Sequence, residues 1–288
     1  MQAPEVEAFF RESSNTFSYV VWDPATLQAA VLDAVLDYDA ASGRTRHTAA
    51  DEIIAFVHAQ GLTVAWVIDT HVHADHLSAA PYVQSQVGGQ LAIGEHIRAV
   101  QETFGELFNA GSGFARDGSQ FDHLFVDGER YRLGQIEATA MHTPGHTPAC
   151  MTHVIGDAAF VGDTLFMPDY GTARCDFPGG DAATLYRSIH RIFALPGTTR
   201  MFLCHDYKAP GRDEFAHETT VAAQRAGNVH VHAGVSAAEF VAMRTQRDAA
   251  LSVPLLLLPA VQVNMRAGRL PPAEDNGVRY LKIPLDTL

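Results

Sequence analysis

Short apolar runs alternate with segments rich in glycine, proline and small polar residues along most of the chain. The run at 62–69 is rich in valine and isoleucine, which is typical of a buried strand. It follows a segment at 49–60 whose apolar residues recur at helical spacing and which ends before Gly61. The same patterns predict strands at 17–22, 28–32, 136–142, 151–155, 158–161, 201–204 and 278–283, and helices at 97–109, 182–194, 213–226 and 237–246.

Strands interspersed with helices predict an α/β fold. A chain of 288 residues can bury a substantial core in one large domain or two small ones. We expect a single domain over residues 1–288, with a C-terminal extension that begins at about residue 215.

Composition narrows the classes of function. A net charge of −13 argues against nucleic acid as a partner, because binding phosphates needs clustered lysine and arginine. The apolar run at 253–263 is too short to span a bilayer and is interrupted by Pro254 and Pro259, so no membrane association is expected. No signal-peptide pattern is visible, and three cysteines do not suggest a disulfide scaffold, which favours a cytoplasmic location. A homodimer is expected only from the general frequency of dimers.

The candidate chemistry begins directly after the predicted strand at 62–69, with His71-Val72-His73-Ala74-Asp75-His76. In an extended backbone, side chains two positions apart point to the same side, so His71 and His73 can hold one divalent ion. Asp75 and His76 follow as the chain turns and can present further ligands nearby. Four ligand-type side chains within six positions predict a metal site.

Three later residues have the same setting, at the end of an apolar strand. His146 lies in the turn Thr143-Pro144-Gly145-His146-Thr147-Pro148, Asp163 follows Val161-Gly162, and His205 follows the run 201–204. Such junctions gather at one edge of a layered sheet. Each residue taken alone has another interpretation, since Asp163 could cap the following segment and His205 could be a buried hydrogen-bonded histidine.

Several other reactive residue types are predicted to be structural. His230 and His232 repeat the His-x-His spacing but have no carboxylate run nearby. Cys175 could be a redox-sensitive thiol, although a small buried residue is the simpler interpretation. Cys150 and Cys204 lie in apolar strand contexts and are expected in the core.

The ordered set His-x-His-x-Asp-His, His146, Asp163 and His205 resembles the metallo-β-lactamase superfamily over residues 17–208. The resemblance implies an αββα sandwich with a metal site at one edge of the two sheets. In dinuclear members one metal takes the residues matching His71, His73 and His146. The other takes those matching Asp75, His76 and His205, and the residue matching Asp163 bridges them.

Within the superfamily the motifs resemble glutathione persulfide dioxygenases more than the related glyoxalase II thioesterases. The similar segments are 69–76, 143–148, Gly162-Asp163-Thr164-Leu165-Phe166 and His205-Asp206-Tyr207-Lys208. A β-lactamase of the common zinc type would have cysteine at position 163. The segment 171–177 is longer than the family usually has, and the spacing from His76 to His146 and the C-terminal extension resemble a longer bacterial branch called β-lactamase-hydrolase-like.

This resemblance implies one Fe(II) per chain, held by His71, His146 and Asp163, with open positions for the substrates. The remaining ligand-type residues, His73, Asp75, His76 and His205, would surround the iron and orient its ligands. The substrates would be glutathione persulfide and dioxygen, and the products sulfite and glutathione. The residues expected to contact glutathione are Arg174, Tyr207, Lys208 and Arg212.

Two alternatives stay open. A glyoxalase II-like hydrolase would use two zinc ions and a bridging hydroxide to cleave glutathione thioesters. A non-catalytic sulfur or metal sensor could also keep the fold, although it would not need seven ligand-type side chains. Imidazole and carboxylate ligands suit iron, zinc and manganese alike, so the sequence does not fix the metal.

Overall fold

Two six-stranded β-sheets stack face to face in the computed structural model, which describes residues 3–287. The first sheet contains, in order across it, β1 (Glu5–Arg11), β2 (Thr16–Trp22), β3 (Gln28–Leu32), β6 (Thr63–Ile68), β8 (Gln90–Gly94) and β9 (His123–Phe125). The second contains β10 (Glu129–Leu133), β11 (Ile136–His142), β12 (Met151–Ile155), β13 (Ala158–Phe160), β14 (Arg200–Phe202) and β15 (Glu218–Thr220). A small third sheet has the order β5 (Arg44–Arg46), β4 (Val35–Asp39) and β7 (Leu77–Ser78).

The central strands are buried on both faces. One face of each sheet packs against the other sheet, and the opposite face packs against helices. In β2, Tyr19 and Val21 point into the core between the two sheets, whereas Val20 points into the core under the helices. This follows from the two-residue period of a strand. An apolar run without alternating polar residues is therefore the expected signature of these strands.

Helices cover both outer faces. The first sheet is covered by α1 (Thr48–Ala59), α2 (Ala80–Val87), α3 (Ile97–Leu107) and α7 (Leu257–Asn264), and the second by α4 (Ala182–Phe193), α5 (Val221–Gly227) and α6 (Ala237–Asp248). The starts of α4, α5 and α6 have side-chain caps. Asp181 accepts a hydrogen bond from the Thr184 amide before α4, and Ser236 and Glu239 form a capping box before α6. The predicted αββα sandwich is confirmed.

Two predicted elements near the C-terminus are wrong. The expected helix at 213–226 begins only at Val221, because Glu218–Thr220 pairs with β14 and the Thr220 hydroxyl caps the helix. The expected strand at 278–283 is not formed. There the backbone N–H and C=O of Lys282 bond to the side chain of Gln262 rather than to a neighbouring strand. Over residues 3–287 no helix has the length and apolar character needed to cross a bilayer.

Candidate metal centre

Four loops bring the seven predicted ligand residues to one edge of the sandwich. The loop after β6 carries His71, His73, Asp75 and His76, and the turn after β11 carries His146. Asp163 follows β13 and His205 follows β14. Each residue therefore lies just beyond the last residue of a buried strand, which explains why side chains so distant in the chain converge.

The ligand atoms fall into two neighbouring groups. His71, His146 and Asp163 offer atoms that all lie within 4.8 Å of one another, and so do His73, Asp75, His76 and His205. The Asp163 carboxylate lies between the groups. Its Oδ2 is 3.7 Å from His71 Nε2 and 3.6 Å from His146 Nε2, and its Oδ1 is 3.2 Å from His205 Nε2.

Each ligand histidine has one ring nitrogen fixed by the protein. The Nδ1 of His71 lies 3.1 Å from the Thr70 hydroxyl, and the Nδ1 of His146 lies 2.7 Å from the carbonyl oxygen of Arg174. His73 is held through its other nitrogen, since Nε2 lies 2.9 Å from a carboxylate oxygen of Asp33. Metal-binding histidines are normally oriented in this way, with the second nitrogen in contact with a carboxylate, a carbonyl or a hydroxyl.

The opposite nitrogens make no hydrogen bonds, although some of them lie close to the Asp163 carboxylate. His71 Nε2, His73 Nδ1, His76 Nε2 and His205 Nε2 are buried and make no hydrogen bond within residues 3–287, and Asp163 Oδ1 has no hydrogen-bond donor. An unpaired buried polar atom costs about 1–3 kcal/mol. Five such atoms at one edge make sense if a cation completes the site, because an ion held by either of the two groups satisfies the unpaired atoms of that group together. The residues present therefore fit a bound metal.

The pKa shifts place two residues of the site in the protonation state that a metal needs, whereas His73 and His205 would each have to release a proton. Although burial opposes it, Asp33 raises the pKa of His73 to about 9, and Asp163 and Asp75 raise the pKa of His205. Burial, together with His73 and His146, holds the pKa of His71 well below its ordinary value, so this imidazole is neutral. Burial opposes ionisation of Asp75, but His205 and His76 hold the pKa of that carboxyl well below its usual range. Neutral imidazoles and ionised carboxylates are the forms that bind metal.

A glycine keeps the His146 turn in place. Gly145 has φ +136°, a conformation that residues with a side chain rarely adopt. A Cβ on Gly145 would lie 2.4 Å from the backbone of Leu185 in α4. The turn can therefore approach α4 only because position 145 has no side chain.

A cavity of about 230 Å³ opens onto the metal centre. Its lining includes three residues of the metal centre (Asp75, His146 and Asp163), three aromatic side chains (Phe166, Tyr170 and Tyr207) and three arginines (Arg174, Arg244 and Arg247). A ligand bound there would contact the metal-binding edge and several cationic or hydrogen-bonding groups at once. This combination is typical of a small-molecule site.

The family model of the metallo-β-lactamase superfamily matches residues 13–205. The chain belongs to this superfamily. The match ends at His205, the last of the seven predicted ligand residues, and members of the superfamily bind metal ions. The predicted family is therefore confirmed together with its fold.

Three relatives show where the chain lies within the superfamily. A probable metallo-hydrolase of Burkholderia pseudomallei is 58% identical, over 98% of this chain and 99% of that protein. Glyoxylase B2 of Dictyostelium discoideum is 47% identical, over 99% and 98% of the two chains. The mitochondrial persulfide dioxygenase ETHE1 of Bos taurus is 30% identical, over 92% of this chain and 89% of that one.

A solved structure agrees with these relatives. The crystal structure of ETHE1 from Myxococcus xanthus has a TM-score of 0.72 and 30% identity, and the match covers 92% of this chain and all of the other. The predicted resemblance to persulfide dioxygenases thus reflects common membership of the superfamily.

The predicted glutathione contacts divide into two pairs. Arg174 and Tyr207 line the cavity. Lys208 and Arg212 do not line it: the ammonium group of Lys208 lies 4.2 Å from the centre of the Phe215 ring, and Arg212 pairs with Asp169 and Asp206. The positions of Lys208 and Arg212 therefore do not support the prediction that these residues contact glutathione.

The C-terminal extension contributes to the site, which the sequence interpretation did not foresee. Asn264 at the end of α7 donates hydrogen bonds of 2.8 Å to the carbonyl oxygens of both His73 and His76, and accepts one from the Ser78 amide. In α6, Asp248 accepts from the Cys175 amide and Arg244 donates to the carbonyl of Thr172. The extension thus supports two of the ligand loops through their backbones.

Two further residues were missed or undervalued. Asp33 follows β3 as Asp163 follows β13, so the same strand-end signal could have identified it as the partner of His73. His230, predicted to be structural, accepts a hydrogen bond from the Thr172 amide and also lines the cavity.

The cysteines are all buried and free. Burial raises the pKa of the Cys150 thiol to about 12 and holds those of Cys175 and Cys204 above their ordinary value. Cys204 lies within ligand distance of Asp163 and His205, but a thiol protonated at neutral pH is a poor metal ligand.

Proposed function

We propose that the chain is an iron-dependent persulfide dioxygenase that converts glutathione persulfide to sulfite and glutathione. The observation that carries this proposal is the compact group of His71, His146 and Asp163 beside the cavity. Two histidines and one carboxylate on one side of a metal, with positions left open, are the ligand set of non-haem iron oxygenases. The relationship to the bovine persulfide dioxygenase over 92% of the chain adds support.

In this proposal the metal would bring the persulfide sulfur and dioxygen together. The persulfide would supply the four electrons that reduce dioxygen, both oxygen atoms would pass to the outer sulfur, and water would release sulfite and glutathione. The chain itself holds the geometry. Thr70 and the carbonyl of Arg174 fix the rings of His71 and His146, so that the Nε2 atom of each faces Asp163. His73 and His205, anchored by Asp33 and by the carbonyl of Asn15, would hold water or substrate oxygen from the other side.

The cavity walls would bind the glutathione portion. Glutathione carries two carboxylates, and the Arg247 side chain lines the cavity without an ion pair or hydrogen bond to any residue in 3–287. Arg174 is already paired with Asp176 and donates to the Ser252 carbonyl, so it mainly fixes the cavity wall. We therefore propose that Arg247 makes the stronger contact with glutathione. The Tyr207 hydroxyl would form a hydrogen bond with the same ligand.

A second candidate function is hydrolysis of glutathione thioesters by a dinuclear zinc site. It is favoured by the second ligand group, since His73, Asp75, His76 and His205 could hold another ion. It is also favoured by the name of the 47% identical glyoxylase B2. In that case Asp163, which lies between the groups, would bridge the two metals.

Metal analysis of the purified protein combined with two assays tests both candidates. The dioxygenase predicts one iron per chain, oxygen consumption on glutathione persulfide and formation of sulfite. Two zinc ions per chain, hydrolysis of S-lactoylglutathione and no oxygen uptake would instead support the thioesterase and refute the dioxygenase.

A His205→Ala variant separates the candidates further. If only His71, His146 and Asp163 bind the iron, this variant keeps its single iron and part of its oxygen uptake. If two zinc ions are needed, it loses one metal and nearly all hydrolysis. A His217→Ala variant is the matched control, because His217 lies near the same strands but offers no ligand atom to either group.

A further inference from the structure

A second cavity of about 120 Å³ lies between α3, α7 and the chain that follows α7. It contains none of the residues of the metal centre. Its lining includes two cationic side chains, Arg266 and Lys282, and one carboxylate, Glu274. No part of the proposed function uses this cavity.

Arg266 has no counter-ion. Its guanidinium carbon lies 4.2 Å from the centre of the Phe114 ring, so one face of the group stacks on an aromatic surface. No carboxylate in residues 3–287 lies within 4.0 Å of it, and its Nε is buried without a hydrogen-bond partner. Burial lowers the pKa of Arg266, which reflects the cost of holding this charge unpaired.

The rest of the lining does not neutralise the charge. The Lys282 ammonium group donates to the carbonyl oxygen of Asn109, which leaves its positive charge in place. Glu274 forms no ion pair with Arg266 or Lys282 within the described chain. The cavity therefore has a net positive lining, although the protein as a whole carries a charge of −13.

We propose that this cavity binds a small oxyanion, with Arg266 as its main contact. A guanidinium stacked on a ring leaves its N–H edge free, and that edge matches two oxygens of a carboxylate, phosphate or sulfate. The cavity volume suits such a group. Because the overall negative charge repels anions at long range, binding here depends on local contacts rather than on general attraction.

The experiment measures the midpoint of thermal unfolding, Tm, of the metal-loaded protein in sodium phosphate, sulfate, acetate or succinate, at an ionic strength held constant with sodium chloride. We expect a saturable rise of about 2–4 °C with at least one of these anions, because a ligand that binds only the folded state raises Tm. A larger rise with phosphate and sulfate indicates a tetrahedral ligand, and a larger rise with acetate or succinate indicates a carboxylate.

The variant Arg266→Met should lose this rise, whereas Arg269→Met should keep it. Arg269 is the matched control because it lies three residues away, is exposed, and bonds to the Gln120 carbonyl outside the cavity. An equal rise in Arg266→Met would place anion binding elsewhere, for example at the metal, and would overturn the proposal.

A second variant tests the proposal if Arg266→Met folds poorly. Replacing Glu274 by Gln removes the one negative charge of the lining, so the anion concentration at half-saturation should fall by a factor of about 3–10. If the wild-type protein shows no saturable rise with any of the four anions, or if the Gln variant leaves the half-saturation point unchanged, the cavity is not an anion site.

Discussion

The ligand loops and the C-terminal extension contribute to the same metal centre by different means. The ligand loops supply side chains of the types that bind metal, in a recognisable order. The extension, residues 215–287, supplies Asn264, Arg244 and Asp248, which contact the backbone of those loops. Contacts to backbone carbonyls and amides leave no signature in the sequence of the loop that receives them. A site can therefore be recognised from its ligands while its supports go unnoticed.

We therefore expect variants in the ligand loops and variants in the C-terminal extension to lose different properties. Loss of a ligand should remove metal while the fold persists. Loss of a support should lower the free energy of unfolding and change the metal site only as a consequence.

The largest effect is expected for Asp163→Ala, because Asp163 contacts residues of both ligand groups. Metal affinity should fall by more than about 100-fold, since outer partners alone account for about 10–100-fold. Activity should disappear with the metal, whichever reaction the protein catalyses. Metal content by mass spectrometry, with Asp169→Ala as an exposed control, checks this. A variant that retains its metal would contradict the position given to Asp163.

The variant Asn264→Ala tests the extension. Three hydrogen bonds to buried backbone groups would be lost, so the free energy of unfolding should fall by about 2–3 kcal/mol. Urea denaturation of the metal-loaded protein measures this. Asn276→Ala is the control, because Asn276 is exposed and bonds only near its own turn. Equal stability of the two variants would show that the extension does not support the ligand loop.

The variant Asp33→Asn is intermediate between loss of a ligand and loss of a backbone support, because Asp33 holds the side chain of the predicted ligand His73. A neutral amide holds the His73 ring less firmly than a carboxylate, so metal affinity should fall by about 10–100-fold with little change in fold. Competition with a chromophoric chelator measures the affinity. The exposed Asp39→Asn should behave as wild type, and a comparable loss there would remove the special role of Asp33.

The smallest effect concerns a histidine outside both regions. His153 is buried between the sheets, and burial lowers its pKa to about 4. The unfolded chain binds a proton near pH 6.5 that the folded chain does not bind, so stability falls as pH drops from 6.5 towards 4. Between pH 7.5 and 5.5 the wild type should lose about 1 kcal/mol more than His153→Gln. Urea denaturation at both pH values provides the test, and identical losses would contradict it.

The sequence predicted the central strands of the second sheet and part of the first, and the seven predicted ligand residues converge at one edge. Strands such as 17–22 and 62–69 are buried on both faces, and this makes them continuous apolar runs. The ligands follow such strands, so their positions could be inferred together with the strands. Other strands were not predicted: β5, β9 and β15 have only three residues each, and the longer β1, β4, β8 and β10 were missed as well.

The C-terminal extension was predicted poorly for a physical reason. In α7 the apolar run contains Pro259, which is tolerated in the first turn of a helix but suggests a break when it is considered alone. The segment 278–283 has the residue types of a strand, yet Gln262 satisfies its backbone instead. Tertiary partners decided both cases, and such partners are not visible in a local window of sequence.

The bond from Asn264 to His73 spans 191 residues, and this separation affects the order of events during synthesis. At about 5–20 residues per second, a ribosome takes about 10–40 seconds to go from the ligand loop to the residue that clamps it. Throughout that interval the loop has all four of its ligand side chains but lacks its backbone support. A metal captured by the nascent chain in that interval would therefore be bound by a loop without its backbone support, and would be held less firmly than one captured after release.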